Sequence, residues 1–210
     1  MTIDEKYMRR CIQLARNGIC HAAPNPMVGA VIVRDGKIIG EGYHVRCGEG
    51  HAEVNAIASV KDESLLKNAT IYVSLEPCSH YGKTPPCADL IIRKGIPRVV
   101  VGCVDPFSLV AGRGIQKLRD AGIEVTVGVL EKECRELIRA FVTFNLKKRP
   151  YITLKWAQSA DGFLDIRRED GNAVRFSTPL STLAVHKMRA EQKAILVGRR
   201  TALLDNPSLT

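Results

Sequence analysis

A histidine, a glutamate and two cysteines in the first half of the chain have the types and spacing of a catalytic metal site. His51 and Glu53 flank a single alanine, Cys78 follows Pro77, and Cys87 lies nine positions after Cys78. Zn²⁺ prefers thiolate and imidazole ligands, and three protein ligands leave its fourth tetrahedral position to water. Bound water then has a pKa of about 7, which supplies hydroxide near neutral pH. We therefore predict a zinc site held by His51, Cys78 and Cys87.

Glu53 is the predicted catalytic residue of this site. Hydrolytic deamination requires a proton to leave the attacking water and protons to reach a ring nitrogen and the departing amine. On an ideal helix His51 and Glu53 lie about 200° apart. The motif therefore needs the first turn of a helix, where loop-like geometry brings both side chains toward one pocket. A structural zinc with four protein ligands is the alternative.

The segment between the two cysteines bears on the kind of deaminase. The general signature of nucleic-acid and nucleoside deaminases ends in Pro-Cys-x-x-Cys, whereas eight residues separate Cys78 from Cys87 here. This insert argues against a general nucleic-acid deaminase. It also contains His80, which competes with Cys87 as a ligand. Cys87 is favoured because it opens a predicted helix, and helix N-termini stabilise thiolates.

Alternating strand and helix patterns surround these motifs. Apolar periodicity and turn residues predict helices over 7–17, 51–59, 87–94, 114–121 and 131–145, and strands over 28–33, 37–43, 70–75, 99–104 and 124–129. Strands that alternate with helices at these lengths predict a three-layer α/β/α sandwich with a mixed sheet.

A basic run and a helix breaker, Lys147–Pro150, mark a predicted boundary between domains 1–147 and 148–210. The second segment is predicted to contain strands over 151–154 and 194–197 and a helix through Arg189, with Pro179 at its first position and Ser177 or Thr178 as its cap. Two strands and one helix would leave an exposed sheet edge. We therefore interpret this unit as incomplete, and a homo-oligomer is one way to cover such an edge.

Composition limits the location and the partners. No apolar run approaches the roughly 20 residues of a membrane span, and the N-terminus does not resemble a signal peptide, so a cytoplasmic protein is expected. Seven cysteines at irregular spacing indicate reduced thiols. Cys11, Cys103 and Cys134 are predicted core residues, whereas Cys20 and Cys47 stay unassigned. The net charge of +9 is spread along the chain, and it suits an anionic small molecule as well as RNA.

Three segments together resemble the bifunctional deaminase–reductase family of riboflavin biosynthesis. They are Pro24-Asn25-Pro26-x-Val28-Gly29, His51-Ala-Glu53 and the run from Glu76 to Cys87. The resemblance implies a cytidine-deaminase-like sandwich, followed by the start of a dihydrofolate-reductase-like α/β domain. It also implies a substrate, 2,5-diamino-6-ribosylamino-4(3H)-pyrimidinone 5′-phosphate, which loses its 2-amino group as ammonia to give 5-amino-6-(5-phosphoribosylamino)uracil. No nucleic-acid or membrane partner is expected.

The same resemblance implies roles for particular residues. His51, Cys78 and Cys87 would bind Zn²⁺, with Glu53 as proton donor and acceptor. Four further residues match positions that contact the deaminase substrate: Asn25, His44, His80 and Lys83. The chemistry agrees, because an amide and imidazoles read a pyrimidine edge and a lysine meets a phosphate.

In the second segment, the resemblance places Thr201 and Asp205 at an NADPH site, and Lys155, Arg189 and Leu209 at the reductase substrate. Family members often carry tryptophan where this chain has Arg175, which alters one nicotinamide contact. We expect a chain that binds zinc and deaminates but does not complete NADPH-dependent reduction. Two alternatives are a tRNA adenosine deaminase, favoured by the positive charge, and a non-catalytic zinc-stabilised nucleic-acid-binding module.

Overall fold

One mixed sheet organises the first of two units into which the chain divides, Met1–Tyr151 and Ile152–Thr210. The structure is a computed structural model, which describes residues 1–81, 85–107, 111–167 and 173–209. The sheet contains β1 (Gly29–Arg34), β2 (Lys37–Tyr43), β3 (Thr70–Leu75), β4 (Arg98–Cys103) and β5 (Glu124–Val127). Their order is β2-β1-β3-β4-β5, with β1 antiparallel to both neighbours and β3, β4 and β5 parallel. We call Met1–Tyr151 the sheet unit and Ile152–Thr210 the second unit.

Helices cover both faces of the sheet. The sheet unit contains α1 (Ile3–Ala15), α2 (Ala52–Ala58), α3 (Cys87–Lys94), α4 (Arg113–Asp120), α5 (Glu131–Leu137) and α6 (Arg139–Lys147). Because successive strand residues point to opposite faces, Ile71 packs in one core with α2, α3 and α4, and Tyr72 packs in a second core with α1 and α5. These two cores confirm the predicted three-layer α/β/α sandwich with a mixed sheet.

The ends of the helices differ from the predictions for local reasons. α1 begins at Ile3 rather than residue 7, because Thr2 and Glu5 form a capping box with reciprocal hydrogen bonds of 3.2 and 2.8 Å. The single helix predicted over 131–145 is two helices. Ile138 leaves the helical region at φ −104° and ψ 19°, and its buried side chain joins the core beneath α1.

The structure confirms the predicted core cysteines and corrects the end of the last strand of the sheet. Cys11, Cys103 and Cys134 are buried, as predicted. The last strand ends at Val127, two residues earlier than predicted, because Gly128 turns to a φ of +93° that few side-chain-bearing residues adopt. Among the described residues, no helix has the length and hydropathy to cross a membrane.

The second unit contains α7 (Pro179–Ala190) and α8 (Arg199–Asp205). The helix that begins at Pro179 is confirmed, and Thr178 is its cap, since its hydroxyl accepts a 3.2 Å hydrogen bond from the Ser181 amide. The strands predicted over 151–154 and 194–197 are wrong, because the described part of this unit has no strand. A strand requires a neighbour for its backbone hydrogen bonds, and neither segment has one here. α8 was not predicted.

Candidate metal centre and active site

Three elements converge to bring the predicted zinc ligands together. His51 is the N-cap of α2, Cys78 lies in the loop after β3, and Cys87 is the first residue of α3. The Nδ1 atom of His51 lies 3.5 Å from Sγ of Cys78 and 3.3 Å from Sγ of Cys87. Tetrahedral zinc bonds of about 2.3 Å to sulfur and 2.1 Å to nitrogen would separate these atoms by about 3.6 Å. The three side chains therefore fit Zn²⁺ and leave its fourth position for water or substrate.

A glycine in β2 explains how α2 reaches this position. A Cβ atom at Gly42 would overlap the backbone of α2 at Ala52 and Ala56. Only glycine allows such close approach of helix to strand. The short α2 therefore lies directly on the sheet, and its first turn carries His51 and Glu53 to the end of β3.

The thiols of Cys78 and Cys87 differ in pKa, and together they suit a bound cation. The backbone amide of Cys87 donates to Sγ of Cys78 over 3.3 Å. The hydrogen bond from the Cys87 thiol, together with His51, lowers the pKa of Cys78 to about 4 against the opposing effect of burial. The same bond raises the pKa of Cys87, with burial adding to the effect. The pair thus shares one proton, which a divalent cation replaces when both thiolates become ligands.

Glu53 lies in the first turn of α2 and is 3% exposed. Burial raises the pKa of its carboxyl to about 7, and the negative charge of Cys78 acts in the same direction. A carboxyl with this pKa both accepts and donates protons near neutral pH. The burial and the raised pKa of Glu53 suit a proton carrier beside the candidate metal ligands.

His44 contacts His51, and Asn25 contacts His44. The carbonyl oxygen of Gly50 accepts a 3.1 Å hydrogen bond from Nδ1 of His44, and the Asn25 side-chain amide lies 3.1 Å from Nε2 of the same ring. The rings of His44 and His51 meet edge to face, with centroids 5.5 Å apart. The structure thus brings two predicted substrate residues next to the metal ligands.

The remaining predicted residues of the sheet unit differ in position. His80 is exposed in the loop between Cys78 and Cys87. Burial raises the pKa of the Asp105 carboxyl, and the charge of His80 opposes that rise, so the two side chains interact. Lys83 lies outside the described residues. Cys20 and Cys47 are exposed and do not belong to the metal group, which is the single one found among the described residues.

The predicted reductase residues are only partly brought together. Arg189 and Leu209 line one cavity of about 400 Å³, together with His186 and Lys193. Thr201 and Asp205 lie on α8, and Lys155 is exposed in an irregular segment, so none of these three lines that cavity. Arg175 is also exposed.

The sequence-based prediction missed the role of Glu76. This glutamate is 4% exposed, and its carboxylate accepts four backbone hydrogen bonds. The sequence does contain a signal for this role, namely an acidic residue directly after an apolar strand and before Pro77-Cys78. Such a residue is costly to bury unless hydrogen-bond donors surround it.

The fold and the ligand set define a zinc-binding deaminase domain. Residues 1–103 match the family described as "Cytidine and deoxycytidylate deaminase zinc-binding region", and residues 150–210 match the "RibD C-terminal domain".

Similarity to individual proteins extends over nearly the whole chain. The riboflavin biosynthesis protein RibD of Aquifex aeolicus is 49% identical over 208 residues, or 99% of this chain and 57% of that protein. RibD of Escherichia coli is 44% identical over 207 residues, or 99% of this chain and 55% of that protein. The chain therefore belongs to the RibD family of riboflavin-biosynthesis proteins, as predicted, and spans slightly more than half the length of these relatives.

A solved structure agrees with this assignment. The structure described as a diaminohydroxyphosphoribosylaminopyrimidine deaminase/5-amino-6-(5-phosphoribosylamino)uracil reductase from Thermotoga maritima has a TM-score of 0.91 and 46% identity. It matches 98% of this chain and 58% of that chain. RibD of Acinetobacter baumannii has a TM-score of 0.89 and 40% identity, over 99% of this chain and 57% of that chain.

Proposed function

We propose that this chain deaminates 2,5-diamino-6-ribosylamino-4(3H)-pyrimidinone 5′-phosphate. Water replaces the 2-amino group, and the products are ammonia and 5-amino-6-(5-phosphoribosylamino)uracil. The observation that carries the proposal is the juxtaposition of His51, Cys78 and Cys87 with buried Glu53. The close relationship to RibD proteins supports this particular pyrimidine.

Each residue of the site has a separate task in this proposal. His51, Cys78 and Cys87 would hold Zn²⁺, which would lower the pKa of bound water and supply a nucleophile near neutral pH. Glu53 accepts a proton from the attacking water, delivers one to the ring nitrogen and assists the departure of the amine as ammonia. A pKa near 7 lets one carboxyl serve in both directions.

Asn25 and His44 are proposed to orient the pyrimidine. Hydrogen bonds to Gly50 and Asn25 fix the orientation of the His44 ring. The Asn25 amide uses one N–H on His44 and retains its oxygen and a second N–H for the heterocycle. His80 and Lys83 are proposed to meet the polar ribosyl phosphate, because both lie in the insert between the zinc cysteines.

The test is ammonia release by the zinc-loaded chain with the phosphorylated pyrimidinone. The phosphate-free nucleoside serves as a matched substrate control, and transfer RNA serves as the competing substrate. We expect ammonia from the phosphorylated compound, less from the nucleoside, and no inosine in the RNA. Absence of ammonia from the zinc-loaded chain would reject the proposal, and salt-sensitive inosine formation would favour the tRNA deaminase.

For the second segment we propose a contribution to NADPH-dependent reduction, with the domain boundary near residue 147. Thr201 and Asp205 are the proposed cofactor residues, and Lys155, Arg189 and Leu209 the proposed substrate residues. The match of residues 150–210 to the RibD C-terminal domain supports this proposal. Binding is tested by titrating NADPH and following its fluorescence, with Thr201→Ala as the variant that should weaken any binding observed.

A further inference from the structure

Glu76 links two loops that leave the sheet at the metal site. Leu75 pairs with Cys103 in the last step of the β3–β4 ladder, and the Glu76 amide then donates to the Cys103 carbonyl over 2.9 Å. Beyond this point the strands separate. One loop leads to Cys78, and the other passes Asp105 on its way to α4.

The carboxylate of Glu76 reaches from the first loop into the second. Oε2 accepts from the amides of Asp105 at 3.2 Å and Gly112 at 2.9 Å. Oε1 accepts from the amides of Gly114 at 2.8 Å and Ile115 at 3.3 Å. Both oxygens therefore have two donors each, and the buried charge is satisfied by backbone groups alone.

These bonds take the place of a local helix cap. Gly112 occupies the N-cap position of α4 without a side-chain hydrogen bond of its own, so the first amides of the helix need another acceptor. Glu76 supplies it from a different loop. The two backbones also meet directly, because a Cβ atom at Gly114 would overlap the carbonyl oxygen of Pro77.

We propose that Glu76 is a positioning residue, which fixes the Cys78 loop against the Asp105 amide and the first amides of α4 and thereby sets the geometry of the metal ligands. Only Pro77 separates Glu76 from Cys78 in the chain, so a shift of Glu76 moves the backbone that carries the ligand. The same carboxylate accepts from the Asp105 amide, so the loop after β4 is tied to the loop that carries Cys78. Only the catalytic part of this inference rests on the proposed function.

Two substitutions of Glu76 separate the effect of its charge from the effect of its side-chain length. In Glu76→Gln the amide group has one acceptor oxygen, and its N–H₂ faces backbone N–H donors, so about half of the hydrogen bonds are replaced by donor–donor contacts. Glu76→Asp keeps both acceptors but is shorter by one methylene. Val99→Ala is the matched stability control, because it removes buried volume in the same sheet at the Ile71–Val99 pair, four residues along the strands from the Leu75–Cys103 pair beside Glu76.

The experiment measures zinc affinity by chelator competition, the visible spectrum of the Co²⁺-substituted protein, and kcat and KM for ammonia release. Circular dichroism first selects variants that fold. For Glu76→Gln we expect zinc affinity or kcat/KM to fall about 10–100-fold, together with a shifted Co²⁺–thiolate band. Glu76→Asp should recover part of each loss, and Val99→Ala should lower Tm without changing the metal readouts.

The inference is overturned if Glu76→Gln keeps the zinc affinity and Co²⁺ spectrum of Val99→Ala. If Glu76→Gln does not fold, Glu76→Asp decides by the same readouts, and a wild-type spectrum and affinity in that variant again overturn it. If the wild-type chain binds metal but releases no ammonia, the proposed function fails, while the two metal readouts still judge Glu76.

Discussion

Similar apolar sequence patterns form buried strands in the sheet unit but exposed irregular segments in the second unit. Val73 and Val101 lie in neighbouring strands and are 0% exposed, whereas Leu154 and Leu196 are 77% and 99% exposed. Both pairs come from runs that predict strands, but only the first pair finds hydrogen-bonding neighbours. An apolar run therefore specifies a strand only when other segments are present to pair with it.

The candidate sites differ in the same way. In the sheet unit, α2, α3 and the end of β3 place three ligand atoms within 4.8 Å of one another. In the second unit, Arg189 and Leu209 line one cavity, and Lys155, Thr201 and Asp205 are not among the residues that line it. The three ligand atoms are thus held close together by helices and a strand that converge. Catalytic sites generally require such rigid support.

Amide hydrogen exchange is the measurement with the largest expected contrast. The amides of Val73 and Val101 should exchange only through opening of the whole sheet, at least about a thousandfold more slowly than those of Leu154 and Leu196. Mass spectrometry of peptides from each unit measures this difference. Equal protection in the two units would show that the second unit has a stable core, which would contradict the difference described between the two units.

Glu53→Gln should lose activity without losing metal. Removal of a general acid–base costs about 10²–10⁴-fold in kcat, whereas zinc content should stay at one ion per chain. Glu63→Gln is the control, because Glu63 is exposed and bonded to Lys94. Activity of Glu53→Gln within tenfold of the unchanged chain would remove Glu53 from the proton-transfer role.

Loss of a single cysteine ligand should reduce stability through loss of zinc. At a free zinc concentration of 1,000 times Kd, bound metal stabilises a protein by about 4 kcal/mol. Cys78→Ser should therefore lower Tm and abolish the response to added zinc, whereas exposed Cys47→Ser should not. A normal zinc response in Cys78→Ser would exclude Cys78 as a ligand.

The smallest predicted effect concerns an ion pair that joins α1 to the sheet. Asp4 accepts two hydrogen bonds from Arg98, at 3.2 and 2.8 Å, and one from the Tyr72 hydroxyl at 2.8 Å. The Arg98 hydrogen bonds lower the pKa of Asp4 below its usual value of 3.8. The stabilisation is therefore fully present above pH 3.8 and is lost as the pH falls through the lower folded-state pKa.

Asp4→Asn should lower the free energy of unfolding by about 1–2 kcal/mol at neutral pH. Urea titrations at neutral pH and at about pH 2 measure this change, and the loss should disappear in acid. Asp35→Asn is the matched control, because the Asp35 side chain is 85% exposed. An equal effect of both substitutions at neutral pH would contradict the account.

The sequence was sufficient for features that depend on local pattern. The five strands of the sheet unit follow from apolar periodicity, and the proximity of His51, Cys78 and Cys87 follows from residue types at close spacing. Features that depend on distant donors were missed. Glu76 stands out in the sequence only as an acidic residue directly after an apolar strand, and its partners are amides 29 to 39 positions away, which that local signal does not identify.

Two other errors have local and tertiary causes. The break at Ile138 arises because that side chain turns into the core beneath α1, which periodicity within one helix does not reveal. The strands predicted over 151–154 and 194–197 lacked neighbours, and no property of four apolar residues records whether a neighbour is present.

X-ray absorption at the zinc edge tests the central claim most directly. The account predicts one zinc per chain, with two sulfur ligands at about 2.3 Å, one imidazole nitrogen at about 2.0–2.1 Å and one exchangeable light-atom ligand. Glu53→Gln should give the same spectrum, since Glu53 is not a ligand. Four protein ligands, or a spectrum without two sulfurs, would contradict an open catalytic site in the sheet unit.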